Sequence, residues 1–146
     1  MAVSGYAYFP STLSSTNRLF VQASYTNDAR TLTHELGHYF NLLHTFQNSS
    51  DATQTNREYV TRDAMQGANC TTKGDLLCDT PADPYGRDSV SLLGCNYTGT
   101  ARDPKGQLYS PSLSNIMSYY PIACGNTFTS GQYNRMNDGL LLRTDG

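Results

Sequence analysis

The chain has neither a surplus of positive charge nor a long apolar run, and both absences exclude classes of function. Its 146 residues include 10 Lys plus Arg and 12 Asp plus Glu, which gives a formal net charge of −2. Binding to a nucleic acid or to an anionic membrane requires a basic face, so we expect neither partner. No run approaches the roughly eighteen apolar residues that a membrane span requires, so we predict no transmembrane segment.

Closely spaced cysteine pairs are missing as well. The four cysteines never occur at C-x-x-C spacing, which disfavours a zinc knuckle and a thioredoxin-type redox motif. Two disulfides formed in an oxidising compartment are the preferred interpretation, and free thiols are the alternative. The cysteines are Cys70, Cys78, Cys95 and Cys124.

A signal peptide is the third absence. The opening residues lack a charged segment followed by an apolar one, so we expect no signal peptide in the chain as given. Disulfides and export remain compatible with this expectation if the exported precursor begins upstream, or if the chain is a trimmed piece.

The pattern of turn-forming and apolar residues predicts a few regular elements around a long irregular stretch. Residues 19–21 predict a strand, and residues 28–43 predict a helix. From residue 44 to about residue 114, Gly, Pro, Asn, Asp and Thr recur without a period, so we predict mostly loop, stapled by the cysteines. A capping-box pattern at residues 129–132 predicts a second helix that runs to about residue 141.

All 3 histidines of the chain lie between positions 34 and 44. On a helix, His34 and His38 are one turn apart on the same face, with about 5–6 Å between their Cβ atoms. Large apolar residues fall on the opposite face. We therefore predict that the helix buries its apolar face in a core and presents both imidazoles on the other side. The apolar residues are Leu32, Leu36, Tyr39, Phe40 and Leu43.

Glu35 and His44 complete the predicted site. Glu35 projects about 60° from His38 on the helical wheel, where its carboxylate can accept a proton from a water that zinc acidifies. His44 would point about 80° or more away from the face of His34 and His38 on a continued helix, so the chain must break. Asn41 lies where the break is needed, and Asn tolerates the left-handed conformation better than any residue except Gly.

The histidine spacing has two interpretations. Zinc held by three histidines keeps a fourth position for water, which hydrolysis requires. The alternative is two core histidines and one histidine on the surface. A His-Glu-x-x-His match arises by chance in a chain of this length on the order of a few times in a thousand, so the zinc interpretation is preferred.

Residues 34–44, which read H-E-x-x-H-x-x-N-x-x-H, resemble the zinc signature of the metzincin metallopeptidases, with Asn41 in place of the usual Gly. Residues 115–119, Asn-Ile-Met-Ser-Tyr, resemble the Met-turn of the same enzymes. The resemblance implies that Met117 forms a hydrophobic base beneath the metal. It also implies that Tyr119 lies near the zinc and stabilises the oxyanion of the reaction.

Two later segments, residues 74–84 and 128–136, are similar to motifs of the pappalysin group of metzincins, also called cytophagalysins. The resemblance implies an α+β zincin with a short N-terminal sheet, an active-site helix, a long disulfide-stapled lower subdomain and a C-terminal helix. The disulfides that it implies are Cys95–Cys124 and, for the remaining cysteines, Cys70–Cys78.

Oxygen ligands cluster in the first of these segments. Calcium takes six to eight oxygens in flexible geometry, and the resemblance implies a calcium site in this region. The alternative is a solvated turn whose aspartates hydrogen-bond the local backbone. The candidate ligands are Asp75, Asp79, Thr80 and Asp83.

These observations lead to two hypotheses for the single domain of residues 1–146. The first is an extracellular zinc metalloendopeptidase, monomeric, that acts on a protein or peptide. Residues 1–44 would then hold a remnant of an upper subdomain plus the zinc helix, and residues 45–146 the lower subdomain with the Met-turn. The second is a catalytically impaired zinc-binding remnant or interaction module that lacks the upper wall of the cleft. Glu35 and Tyr119 favour the first, because a binding module has no need of a base.

Overall fold

The computed structural model describes residues 4–11, 13–85 and 92–144 of the chain. The described part is a small α+β structure with two helices, two short antiparallel hairpins and several single 3₁₀ turns. Within it, neither helix is both long enough and apolar enough to cross a membrane. The α+β class predicted from the sequence is confirmed at this level of detail.

Each sheet contains two short antiparallel strands. Strand β1 (Gly5–Ala7) pairs with β2 (Leu19–Val21), and the register places Gly5 opposite Val21. Strand β3 (Leu92–Leu93) pairs with β4 (Asn96–Tyr97) across a turn. Only β2, with its run of three large apolar residues, was expected from the sequence.

Helix α1 (Ala29–Tyr39) begins at Asp28, whose carboxylate accepts hydrogen bonds from Arg30 N at 3.0 Å and from the Thr31 hydroxyl at 2.7 Å. Such a cap satisfies amide groups that have no partner within the helix. The helix predicted over residues 28–43 extends too far at its C-terminal end. It stops four residues earlier than expected, for a reason that lies in the turn at Asn41.

Asn41 has a φ of 79°, the left-handed conformation that the histidine spacing requires. Its amide donates to His38 O at 3.0 Å, and the amide of Leu42 donates to Gly37 O at 2.8 Å. These two bonds form a Schellman motif, which closes a helix and satisfies its last carbonyl groups. The turn therefore ends α1 and redirects the chain toward His44.

The prediction that α1 buries its apolar face and exposes its imidazole face is wrong. The buried residues of α1 are His34, Glu35 and Gly37, whereas Leu32 is 43% exposed. The reason is the packing of α1 against β1 and β2, which covers the side of the helix that carries Glu35.

Helix α2 (Ser130–Thr144) is three residues longer than predicted. Near its C-terminal end Arg143 donates to Tyr39 O at 2.8 Å and lies over the Tyr39 ring, 3.5 Å from its centroid. Gly139 packs so closely that a Cβ atom there would lie 2.4 Å from Phe40 O. Helix α2 thus holds the end of α1 in place.

The chain divides into two compact units. The first contains residues Met1–Leu43 and Gln132–Gly146, with the first sheet, α1 and most of α2. The second, His44–Gly131, is mostly loop, and about half of the buried side chains in its described part are polar. The prediction of one domain, whose upper and lower subdomains meet after residue 44, stays a prediction. The buried polar residues of the second unit include Asp75, Thr80, Asp83, Asp103, Asn115 and Ser118.

Two disulfides lie in the second unit. They join Cys70 to Cys78 and Cys95 to Cys124, which is the pairing that the resemblance implies. The second closes a longer loop, with a sequence separation of 29 residues against 8 for the first.

We expect the two disulfides to stabilise the chain unequally. In the chain-entropy description, the Cys70–Cys78 bridge contributes about 2.6 kcal/mol and the Cys95–Cys124 bridge about 3.6 kcal/mol to the free energy of unfolding. Urea unfolding of the paired Cys→Ala variants measures both values. Alkylation of unreduced protein from an oxidising compartment should modify no cysteine, and four modified cysteines would contradict the bridges.

Candidate functional site

Helix α1 positions three of the residues that the sequence analysis selected. The rings of His34 and His38 have centroids 4.8 Å apart and are nearly perpendicular, as expected for side chains one turn apart. Glu35 lies between them in sequence and is only 5% exposed. The helix thus places two imidazoles and a buried carboxylate in one small region.

The turn that ends α1 also orients His38. The Nδ1 atom of His38 lies 2.7 Å from Leu42 O. A carbonyl oxygen only accepts, so Nδ1 carries the proton, and the neutral ring presents the lone pair of Nε2 as its ligand atom. Burial lowers the pKa of His38, which favours this neutral form at neutral pH.

His44 follows the turn and completes the group. One ligand nitrogen from each of His34, His38 and His44 lies within 4.8 Å of the other two. Among the described residues, no other three His, Cys, Asp or Glu side chains converge in this way. Three imidazole nitrogens so close together suit a single zinc ion.

Glu35 has a pKa above its ordinary value, because burial disfavours the charged carboxylate. Strand β1 covers its side chain at Gly5. A Cβ atom at Gly5 would lie 2.8 Å from Glu35 Cγ and 2.8 Å from Phe20 O, so only glycine fits. Sequence reasoning gave Gly5 no role, because nothing local to a short loop indicates what packs against it.

Met117 is fully buried in the second unit. Its amide donates to the side chain of Asn115 at 2.9 Å, and its carbonyl accepts from Thr45 N at 3.2 Å. The amide of Ile116 donates to Thr127 O at 3.0 Å. The predicted Met-turn is therefore a tight, buried turn that is tied to the residue after His44.

Tyr119 lies beside His44, with its hydroxyl 2.9 Å from His44 Nε2. The ring of Phe46 stacks on His44 at 4.6 Å, nearly parallel, and Tyr85 closes the group on the side of Phe46 and Tyr119. Tyr119 itself is 52% exposed.

Asp83 anchors both the segment after His44 and the segment around Tyr119. Its Oδ2 atom accepts from the hydroxyls of Thr45 and Ser118, each at 2.7 Å. Its Oδ1 atom accepts from the Tyr120 hydroxyl at 2.7 Å and from Tyr85 N at 2.9 Å. Burial and this carboxylate raise the pKa of Tyr120, so Tyr120 stays a donor.

The other candidate calcium ligands make separate hydrogen bonds. Asp75 Oδ1 accepts from Leu77 N at 3.0 Å and from the Thr80 hydroxyl at 2.9 Å. Asp79 caps the start of α2, where it accepts from the Thr129 hydroxyl at 3.1 Å and from Gly131 N at 2.6 Å. Each carboxylate thus satisfies donors of the protein. The bond of Asp75 to Leu77 N is of the local kind that the alternative to a calcium site describes, whereas the donors to Asp79 lie about fifty residues later in the chain.

Glu58 is a buried carboxylate that the sequence analysis did not select. It pairs with Arg62, yet within the described part of the chain its Oε2 atom has no hydrogen-bond partner. Burial is the main cause that raises the pKa of Glu58 to about 8, and the charges of Asp75 and Asp83 add to it. Gly74, at a φ of 64°, lies against this carboxylate.

Comparison with known proteins identifies similar chains over nearly the whole length. The sequence model of the M43 peptidase family, described as pregnancy-associated plasma protein-A, matches residues 1–141. Extracellular metalloproteases of Colletotrichum graminicola and Podospora anserina are each 31% identical to this chain, over 90% and 91% of it. One from Pyricularia oryzae is 34% identical over 91%. The chain covers 42%, 41% and 42% of these relatives, or about two fifths of their length.

Substitution of Asp83 by Asn should disturb His44 and Tyr119 together. Asparagine has one acceptor oxygen and turns an N–H group toward donors, so we expect a loss of about 2–4 kcal/mol in the free energy of unfolding. We also expect the NMR signals of the His44 and Tyr119 rings to shift in Asp83→Asn.

Asp103→Asn is the matched control. Asp103 is equally buried and accepts from three backbone amides, those of Val60, Lys105 and Gln107, none of which adjoins the site. It should lose similar stability and leave both ring signals in place. Equal ring shifts in the two variants would contradict the role given to Asp83.

Proposed function

The chain belongs to the M43 family of metallopeptidases, and from that premise we propose that it is a zinc-dependent endopeptidase with Glu35 as its general base. The observation that carries the proposal is the convergence of His34, His38 and His44 nitrogens within 4.8 Å, beside a buried carboxylate. In the H-E-x-x-H signature, one helix supplies two histidine ligands to zinc and the glutamate between them acts as the general base.

Zinc fits the residues that are present. The three candidate ligands are imidazoles, which zinc accepts as ligands, and the Nδ1 atom of His38 is held by a backbone carbonyl, the kind of support that ligating histidines use. When bound, zinc would lower the pKa of a water molecule to about 7 and polarise the carbonyl group of a peptide.

Glu35 would move the proton. Its carboxylate accepts a proton from the attacking water and then donates that proton to the nitrogen of the leaving amine. The raised pKa that burial gives Glu35 suits both steps, because a base that must return its proton works best with a pKa close to the operating pH. Gly5 leaves the carboxylate the space that it occupies.

Tyr119 would stabilise the charge that develops on the carbonyl oxygen. Its side chain is half-exposed and its hydroxyl lies beside His44, so a small rotation would let the hydroxyl donate to a substrate oxygen in the same region. Removal of one such donor removes a hydrogen bond without removing the attacking water, so Tyr119 should matter less than Glu35.

We propose that the protein acts outside the cell, on a protein or peptide substrate, and as a monomer. The relatives are named extracellular metalloproteases, and two disulfides suit an oxidising compartment. The alternative, a zinc-binding remnant without turnover, is not favoured, because a module that only binds does not require Glu35 or Tyr119.

Calcium is a further proposal for the acidic region of Asp75, Asp79, Thr80 and Asp83. Glu58 supports it. A buried carboxylate oxygen without a hydrogen-bond partner in the described part of the chain, near two other acids, is stabilised by a cation.

Glu35→Gln is the decisive variant for the peptidase proposal. Glutamine keeps the volume of the side chain but cannot accept the proton, so hydrolysis of a quenched peptide should fall roughly 10²–10⁴-fold. Zinc content, measured by mass spectrometry, should stay near one equivalent, because Glu35 is not a ligand. Tyr119→Phe should reduce turnover less.

His44→Ala is the control for the metal. It should lose zinc as well as activity, and wild-type zinc should fall at acid pH, because each ligating imidazole must be neutral. Undiminished hydrolysis by Glu35→Gln would overturn the mechanism. Absence of chelator-sensitive hydrolysis by zinc-loaded wild type would overturn the peptidase proposal.

Calcium should raise the melting temperature of the zinc-loaded chain more at pH 8 than at pH 6. Glu58 is protonated below its pKa of about 8, and the proton competes with the cation, so calcium binds better as the pH rises through that value. Magnesium should have a smaller effect. A calcium shift of equal size in Glu58→Gln, or no calcium shift at any pH, would contradict this proposal.

A further inference from the structure

Three Asn-x-Ser/Thr triplets occur in the chain, and none has proline in the middle. This triplet accepts N-linked oligosaccharides in proteins that pass through a eukaryotic secretory pathway. The triplets have the same form but very different structural environments, and those environments distinguish them. They begin at Asn48, Asn69 and Asn96.

Asn48 is exposed at a tight turn. Its φ is 60°, and within the described residues its side-chain amide makes no hydrogen bond. The turn is held instead by its neighbours: Asn48 O accepts from Asp51 N at 3.1 Å, and the buried Ser49 hydroxyl donates to Tyr85 O at 2.6 Å. Ser50, the third residue of the triplet, is exposed. A sugar on Asn48 would therefore point into solvent and disturb none of these bonds.

Asn96 is the first residue of β4 and directly follows the turn that joins β3 to β4. It pairs with Leu93 through the backbone, and its side chain is exposed, as is that of Thr98. Tyr97, between them, is half-buried on the other face of the strand. The two residues of the triplet that take part in the transfer, Asn96 and Thr98, are thus both exposed.

Asn69 is different, because the fold uses its amide. Its Oδ1 atom accepts from Tyr59 N at 2.8 Å, and its Nδ2 atom donates to Arg57 O at 2.9 Å. The next residue, Cys70, is buried in the disulfide with Cys78. A sugar on Nδ2 would replace one hydrogen of an amide that the fold already holds through both its oxygen and its nitrogen, against the segment of residues 57–59.

We propose that Asn48 and Asn96 are N-glycosylation sites and that Asn69 is not, its amide being a structural cross-link. The proposal rests on the extracellular location given under the proposed function. The transfer forms a bond between the amide nitrogen and C1 of the first sugar of a lipid-pyrophosphate-linked oligosaccharide. The C1–O bond to phosphate breaks, the lipid pyrophosphate leaves, and the amide nitrogen loses one proton.

The test uses the full chain, secreted from a eukaryotic host behind a cleavable leader. Enzymatic removal of the glycans in ¹⁸O water converts each occupied Asn to labelled Asp, and peptide mass spectrometry then gives the occupancy of each triplet. We expect label at Asn48 and Asn96 and an unmodified Asn69. The readout is independent of hydrolysis, so an inactive chain can still support the proposal and an active one can still contradict it.

Substitution of the hydroxyl residue in each triplet provides matched controls, because the acceptor asparagine stays in place. Ser50→Ala and Thr98→Ala should each remove one glycan from the intact mass. Thr71→Ala, at an exposed position, should remove none. Occupancy at Asn69 equal to that at Asn48, or a secreted chain with no glycan at Asn48 or at Asn96, would overturn the proposal.

Discussion

On a continued α1, His44 would point away from the face that carries His34 and His38, so the convergence of the three histidines depends on the turn at Asn41. The left-handed backbone of Asn41 stops α1 between His38 and His44. The same turn presents Leu42 O to His38, which selects the ring nitrogen that faces a metal. One residue therefore controls both where the third ligand lies and how the second is protonated.

The second unit has little regular structure, and buried carboxylates connect its loops beside a small set of buried apolar side chains. Asp83 and Asp103 each accept several hydrogen bonds from groups far apart in sequence, such as Thr45 and Ser118 or Val60 and Gln107. A charged acceptor makes stronger bonds than a neutral one, and its loss leaves several buried donors unsatisfied. Loops held by such carboxylates keep one conformation although they bury few apolar side chains.

The parts of the structure that the sequence predicted are local in origin. Helical spacing identified His34, Glu35 and His38, and the φ of Asn41 follows from the need to bring back His44. The parts that it did not predict depend on contacts between distant positions. Asp79 caps a helix that begins more than fifty residues later. Gly5 of strand β1 packs against the side chain of Glu35 on helix α1. Periodicity also misassigned the buried face of α1, because it measures apolar content and not which surface a neighbouring sheet covers.

The close approach of α2 to the end of α1 limits how the chain could be engineered for thermal stability. Exchange of glycine for alanine inside a helix usually stabilises a protein by about 0.5–1 kcal/mol, so Gly139 is an obvious candidate in any screen. At this position the added methyl group would lie 2.4 Å from a carbonyl oxygen at the C-terminus of α1. A substitution that improves the isolated helix would push it away from the turn that orients the histidines, so stability and metal affinity would have to be selected together.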